Sequence, residues 1–568
     1  MTMNARRRPK LHVMLPAAIL SAALLAACGG GAPDGESLPE RGGAVASDEA
    51  PGIDEAVLRE RIATLASDEF EGRAPASAGG AKTRGYLIEE MKKIGLKPGN
   101  GDSYEQIVPT VETTLNPETS FLKIGEKTYA YGPEVVYWTK RVEEAVSFED
   151  SDVVFVGYGV VAPEYGWDDY AGVDVTGKTV IMLVNDPGFA TQDPDVFNGN
   201  AMTYYGRWTY KYEEAARQGA AAAIIVHQTA PAAYGWGVVE GSWKGPQIDL
   251  VRRDRGASRV ALEGWMQEAD VRALFETAGK DFDALVAAAA TPEFEAVPLD
   301  LKASAAIKNS IRLSLSANVV GMLEGSQAPE AYVLYVAHWD HLGATAAGED
   351  KISNGAVDNA TGTAGILSIA ESIAALPERP RRSILFLAVT AEESGLLGSA
   401  YFAEDPFVPL ANIVGGINID GVLPVPATKN LVVTGYGASE LEDILKKYAD
   451  QRGLYISPDP EPEKGYFYRS DHISIAKKGV PMLYADLGPD FVDGGVEAGE
   501  AFGADYRVNR YHLPADEYDP SWDMESMVML FEIARDIGLD LANSGDWPNW
   551  YAGTEFRGLR DAQRAEAE

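Results

Sequence analysis

Three apolar runs in the second half of the chain each end on residues that a buried strand does not need. "AYVLYVAHWD" closes on His338 and Asp340, "RSILFLAVTAEE" on Glu392 and Glu393, and "IVGGINID" on Asp420. Near-continuous apolar character marks strands buried on both faces, the pattern of a sheet with helices on either side. Helical spacing in "GTAGILSIAESIAAL", "SELEDILKKYADQRG" and "MESMVMLFEIARDIGLDLA" supplies the covering layers. The expected fold is therefore α/β, with a mostly parallel central sheet flanked by helices. Open sheets of this kind bind ligands beyond the carboxyl ends of their strands, so the three polar endings point to one crevice. Charged groups placed there are costly unless something satisfies them.

Two further residues belong with these endings. Asp358 lies in "SNGAVDNATGTAG" just before a helix, and His512 lies in the loop "RYHLPADEYD". The chain has six histidines and one cysteine, so the cluster offers imidazole and carboxylate without thiolate. That donor chemistry suits zinc or a similar divalent metal. Two metals a few ångströms apart need a bridging ligand, and an aspartate can bridge with its two oxygens. Such a pair lowers the pKa of a bridging water toward ~7. A carboxylate off the metal must then take and return the proton. Adjacent Glu392 and Glu393 offer that division of labour.

The motifs "AHWDHLG", "GAVDNATG", "TAEESGLLGS", "NID", "YFYRSDH" and "YHLPADE", in this order, resemble the M28-type zinc metallopeptidases, which include bacterial aminopeptidases. The resemblance runs through residues 53–150 and 305–545. It implies two Zn2+ per chain, one held by His338, Asp358 and Asp420, the other by Asp358, Glu393 and His512. Glu392 would be the general base, and Asp340 would accept the second ring proton of His338. Tyr466 and Tyr468 flank Phe467, which stands where relatives place an oxyanion-stabilising tyrosine, and Tyr511 is another candidate for touching substrate. His341 receives no role beyond a structural or supporting one, and His472 is read as a packing residue. The implied activity is removal of N-terminal residues from peptides by metal-activated water. A carboxypeptidase or dipeptidase of the same fold would share these ligands and differ in its pocket, with acids for a free ammonium or arginines for a free carboxylate. Arg469 stands in a suggestive position for the latter. A single-zinc glutaminyl cyclase of this fold fits less well, because the ligand set is complete for two metals. The non-enzymatic alternative, a peptide-binding lipoprotein with a decayed site, is disfavoured by the intact Glu392 and Asp358.

Residues 151–304 have a different texture, with β-branched runs between Gly, Pro and Asp turns. "GWDDYAGVDVTGKTVIMLVNDPG" and "AARQGAAAAIIVH" resemble the protease-associated (PA) domain. This implies an inserted β-rich domain that walls or lids the cleft, or else serves as a passive spacer. Its histidine, His227, is read as structural. At the N-terminus a basic segment and an apolar stretch form a secretory signal over residues 1–28. Leu25-Ala26-Ala27-Cys28 resembles the bacterial lipobox, which makes Cys28 a lipid anchor to the membrane. The protein is then expected in the bacterial cell envelope, at the periplasmic side of the outer membrane, or secreted. Residues 29–52 read as a flexible tether, and residues 546–568 as a tail that packs on the surface and then frays. A formal charge of −36 argues against nucleic-acid binding; peptides are the partners that the M28 resemblance implies.

Overall fold

The computed structural model describes residues 50–344 and 351–567. The expected signal peptide, Cys28 and nearly all of the tether lie outside the described residues. Among the described residues, no helix is long and apolar enough to cross a membrane.

Four parallel strands form the middle of the main sheet, in the order Arg382–Val389, Ala328–His338, Ile413–Asn418 and Met482–Leu487. The strand Ala328–His338 has its successors on opposite sides, so the winding direction reverses at this strand. That reversal opens a crevice at its carboxyl end, where His338 sits. Side-chain alternation shows why the runs are apolar throughout. Val333, Tyr335 and Ala337 enter one core with the helices Glu55–Leu65, Gly362–Ala374 and Glu525–Asn543, while Leu334 and Val336 enter another with Phe402, Ile473 and Trp550. Both faces are covered, as expected.

The helix Ala78–Ile94 illustrates how local signals set boundaries. The Ser77 hydroxyl accepts from the Gly80 amide at 3.0 Å, and Gly95 ends the helix at φ 92°.

A second sheet lies mostly within residues 121–307. Its parallel strands Ala145–Phe155, Thr179–Leu183, Ala222–His227 and Leu262–Gln267 also have two buried faces. The boundaries differ from those expected. Phe121–Ile124 and Val135–Trp138 pair within this second sheet, although residues up to 150 were expected with the first. At the other end, the 27-residue strand Val297–Leu323 runs through both sheets, so the expected border near residue 305 falls inside one strand. A composition change cannot show that border, because the strand pattern is the same on either side of it.

The C-terminal segment also departs from expectation. Trp550 is fully buried and donates its indole N–H to Gly479, and Arg560 reaches the Ile413 carbonyl at 2.8 Å. The segment ends in the helix Arg557–Ala567 rather than fraying.

Candidate metal centre

The sheet delivers its polar ends to one place. His338 Nε2 lies 3.0 Å from Asp420 Oδ1 and 3.2 Å from Asp358 Oδ1. On the other side of Asp358, His512 Nε2 lies 3.1 Å from Asp358 Oδ2 and 3.1 Å from Glu393 Oε2. Asp358 thus presents one oxygen to each histidine. Two donor groups result, His338–Asp358–Asp420 and His341–Asp358–Glu393, with the ligand atoms in each within 4.8 Å of one another. All five ligands expected from sequence are brought together. Glu392 stands beside them, its Oε2 4.0 Å from His338 Nε2.

Loops hold this arrangement through their backbones. Asp516 accepts from the amides of Val357 and Asp358 at 3.0 and 3.1 Å, tying the loop that carries His512 to the segment that carries Asp358. The Asp358–Asn359 peptide is cis. The Asn359 side chain donates to Ile419 and accepts from Gly362 and Gly421, which fixes the turn bearing Asp420. Asp420 Oδ2 accepts from Ser470 at 2.5 Å. Gly355, at φ 54°, leaves room for the His341 ring, since a Cβ there would come within 2.4 Å of it.

Arg73 comes from the N-terminal segment and is almost fully buried. Its guanidinium donates to the carbonyls of Leu65, Trp339, Asn354 and Gly355. Neither Arg73 nor Asp516 was singled out from sequence. Asp516 lies inside a motif that was noticed. Arg73 carries no signal, because its partners are main-chain carbonyls, three of them 266, 281 and 282 positions away.

Two roles differ in detail from those expected. The ring proton of His338 on Nδ1 goes to the backbone carbonyl of Asp340 at 3.1 Å, not to its carboxylate. The carboxylate instead accepts from the Glu392 amide at 3.1 Å, so Asp340 steadies the Glu392 backbone. His341 is fully buried, with Nδ1 2.6 Å from Glu393 Oε1, and so stands inside the donor cluster. Of the three tyrosines considered, Tyr511 lines the cleft with Glu392 and stacks on His512 at 3.9 Å. Tyr468 gives its hydroxyl to Glu555, and Tyr466 lines a separate cavity of about 360 Å³.

The electrostatics favour positive charge at this spot. Burial works against protonating His338, yet Asp420, Glu392 and Asp358 hold its pKa well above the ordinary 6.5. His512 is likewise raised to about 10, against burial, by its hydrogen bonds to Asp358 and Glu393. Burial pushes Glu392 well above the usual carboxylate range, with Glu393 and Asp420 adding repulsion against the attraction of His338. Buried Asp340 is raised to about 7, chiefly by desolvation. Asp340 Oδ2 and both oxygens of Asp471 are buried without a hydrogen-bond partner. Imidazole and carboxylate donors in acid excess fit divalent zinc.

An α/β sheet with a histidine–carboxylate cluster at its switch point is an arrangement that fits a metal-binding α/β protein. Comparison with known proteins then narrows it. Residues 318–536 match the sequence model of Peptidase family M28, and every donor from His338 to His512 lies inside that match. Similar curated proteins include mouse "Aminopeptidase NAALADL1", 31% identical over 27% of this chain and 20% of its own length. "Probable glutamate carboxypeptidase LAMP1" of Arabidopsis thaliana is 31% identical over 24% of this chain and 18% of its own. The chain thus spans about a fifth of the length of these relatives. Among solved structures, "Aminopeptidase from Aneurinibacillus sp. strain AM-1" aligns over 88% of this chain and 96% of its own, at 19% identity and TM-score 0.48.

Proposed function

We propose that the protein is a zinc-dependent metallo-exopeptidase that binds two zinc ions and removes N-terminal residues from peptides. The observation that carries this reading is the position of Asp358, with one carboxylate oxygen on each of two histidine-containing donor groups. His338 and Asp420 complete one set; Glu393 and His512, with His341 alongside, complete the other. When bound, the metal pair polarises the scissile carbonyl and lowers the pKa of a coordinated water. Glu392 is the general base: it lies beside both donor sets, and its amide is held by the Asp340 carboxylate. Once protonated, Glu392 faces the leaving amine from the same position. Tyr511, in the same cleft, is the tyrosine placed to contact substrate.

The second sheet is the PA-type wall of this cleft, and Cys28 is the lipid anchor of an exported chain. Radiolabelled palmitate should enter the full chain in a bacterial host and be absent from Cys28→Ser; equal labelling would reject the anchor.

The activity test uses the zinc-loaded chain with a tetrapeptide of four different residues and its N-acetylated form, followed by mass spectrometry. Loss of the first residue from the free peptide, with the acetylated one untouched, is the expected result. Loss of the last residue from both would instead assign a carboxypeptidase. Absence of cleavage in either peptide would reject exopeptidase action.

A further inference from the structure

The cleft that holds Glu392, Tyr511 and His512 extends beneath the second sheet as a cavity of about 470 Å³. Several cations line it, and most have a carboxylate. Lys140 and Arg252 pair with Asp249, Arg259 with Glu263, and Lys477 with Glu213. Arg207 and Arg469 stand apart. Neither forms an ion pair among the described residues, and the Nε of each is buried without a hydrogen-bond partner. They come from different layers: Arg207 precedes the helix Trp208–Arg217 of the second sheet, and Arg469 follows Tyr468 in the main domain. In a chain with 85 acidic side chains, two neighbouring guanidiniums without an acid are conspicuous.

Their surroundings add to this. Arg469 lies over the Tyr466 ring at 5.4 Å. Around Arg207 are the aromatic side chains of Tyr204, Tyr234 and Tyr468, and the like charge of Arg469. Burial, then Arg469, lowers Arg207 to about 10, which leaves it protonated at neutral pH. Two half-buried cations side by side, each with its Nε buried and unpartnered, are unfavourable until an anion completes them. A guanidinium fork matches a carboxylate better than any other common peptide group. The acidic donor cluster and the cationic pair therefore mark two regions of one cavity.

We infer that Arg207 and Arg469 form a carboxylate-binding subsite, so that the preferred substrates are short peptides whose leaving residue carries a carboxylate. That carboxylate is either a free C-terminus or an acidic side chain. The inference rests on the exopeptidase reading above and specifies its substrate class.

The test measures kcat/KM of the zinc-loaded full chain for Leu-Ala, Leu-Ala-amide and Leu-Glu-amide, in wild type, Arg207→Gln, Arg469→Gln and the two Arg→Lys variants. In wild type the free acid should exceed its amide by about tenfold or more, mostly through KM. The acid-to-amide ratio should fall toward one in both Gln variants and recover in part with Lys. A ratio is read because general damage to the fold would lower both rates together. Preference for Leu-Glu-amide over Leu-Ala-amide, with Leu-Ala equal to its amide, would assign the side-chain carboxylate as the source. Indistinguishable rates for all three peptides in wild type, or a wild-type preference (acid over amide, or Leu-Glu-amide over Leu-Ala-amide) that persists unchanged in both Gln variants, would overturn the subsite while leaving the exopeptidase reading intact. If wild type cleaves none of them, the exopeptidase reading fails for these peptides, and calorimetry decides the subsite separately. Tighter binding of Leu-Ala than of its amide, lost in the Gln variants, would support it; equal binding or none would overturn it.

Discussion

Asp358 links the two donor groups, and the side chains nearest to it divide into those that share its role and those that position it. His341 is the informative case. Read as a sequence, the second histidine of "HWDH" has no partner to suggest a role, because Glu393 lies 52 positions away. In the fold its ring is buried against Glu393, one of the proposed ligands. His341→Asn should therefore weaken zinc binding by about 10- to 100-fold, the usual cost of losing a group that supports a metal ligand. Chelator competition measures this, and wild-type affinity in the variant would remove His341 from the site. The five proposed ligands and Glu392 could be picked out as candidates because each follows an apolar run or sits in a short, family-like motif. Asp340 was legible as a participant but not in its hydrogen bonding, since sequence does not distinguish its carbonyl from its carboxylate. Arg207 was not legible at all: its significance comes from what it lacks, and a missing partner is visible only in three dimensions.

At the scale of elements, the strands place the donors and the loops aim them. Arg73 ties the N-terminal segment to the loops around Trp339 and Gly355 through four carbonyls. Arg73→Met should destabilise the fold by about 3 kcal/mol or more, because it leaves buried carbonyls unsatisfied. The measurement is the denaturant midpoint at unchanged slope; a shift within error would show that these bonds are replaceable. The short helix His472–Ala476 makes a pH prediction. His472 is fully buried between Phe467 and Tyr484, and desolvation lowers its pKa from 6.5 to about 3. The folded chain keeps it neutral, whereas the unfolded chain protonates it below its ordinary pKa of 6.5. Its contribution is thus fully present above that value and lost as pH falls toward 3. At about pH 5 the loss should be on the order of 2 kcal/mol. Unfolding curves of His472→Phe against wild type should diverge least in acid, and a pH-independent difference would contradict this account. Strand existence was readable from apolar runs, whereas the continuous strand Val297–Leu323 was not, since nothing in its side-chain pattern announces a change of sheet.

For the whole molecule, the consequence is a cleft built from two layers. The second sheet contributes Arg207 and Glu213, and the main domain contributes Arg469 and Lys477. The Glu213–Lys477 contact at 3.1 Å joins them, with Lys477 and its neighbours drawing the pKa of Glu213 down to about 2 against burial. Glu213→Ala leaves Lys477 without its acid and should cost about 3 kcal/mol. It should also raise KM more than it lowers kcat, because it loosens a wall of the cleft rather than the donor cluster. Thermal unfolding and steady-state kinetics together check this; an unchanged KM would mean that the contact is structural only. The change of texture along the chain was legible in the sequence. The exchange of side chains across the cleft was not, because it depends on how the layers meet.

The most direct test of the central claim is zinc content measured alongside turnover in Glu392→Gln. The account predicts wild-type zinc per chain with turnover reduced by roughly 10²- to 10⁴-fold, the range for loss of a general base. Near-normal turnover in a zinc-replete Glu392→Gln would contradict it.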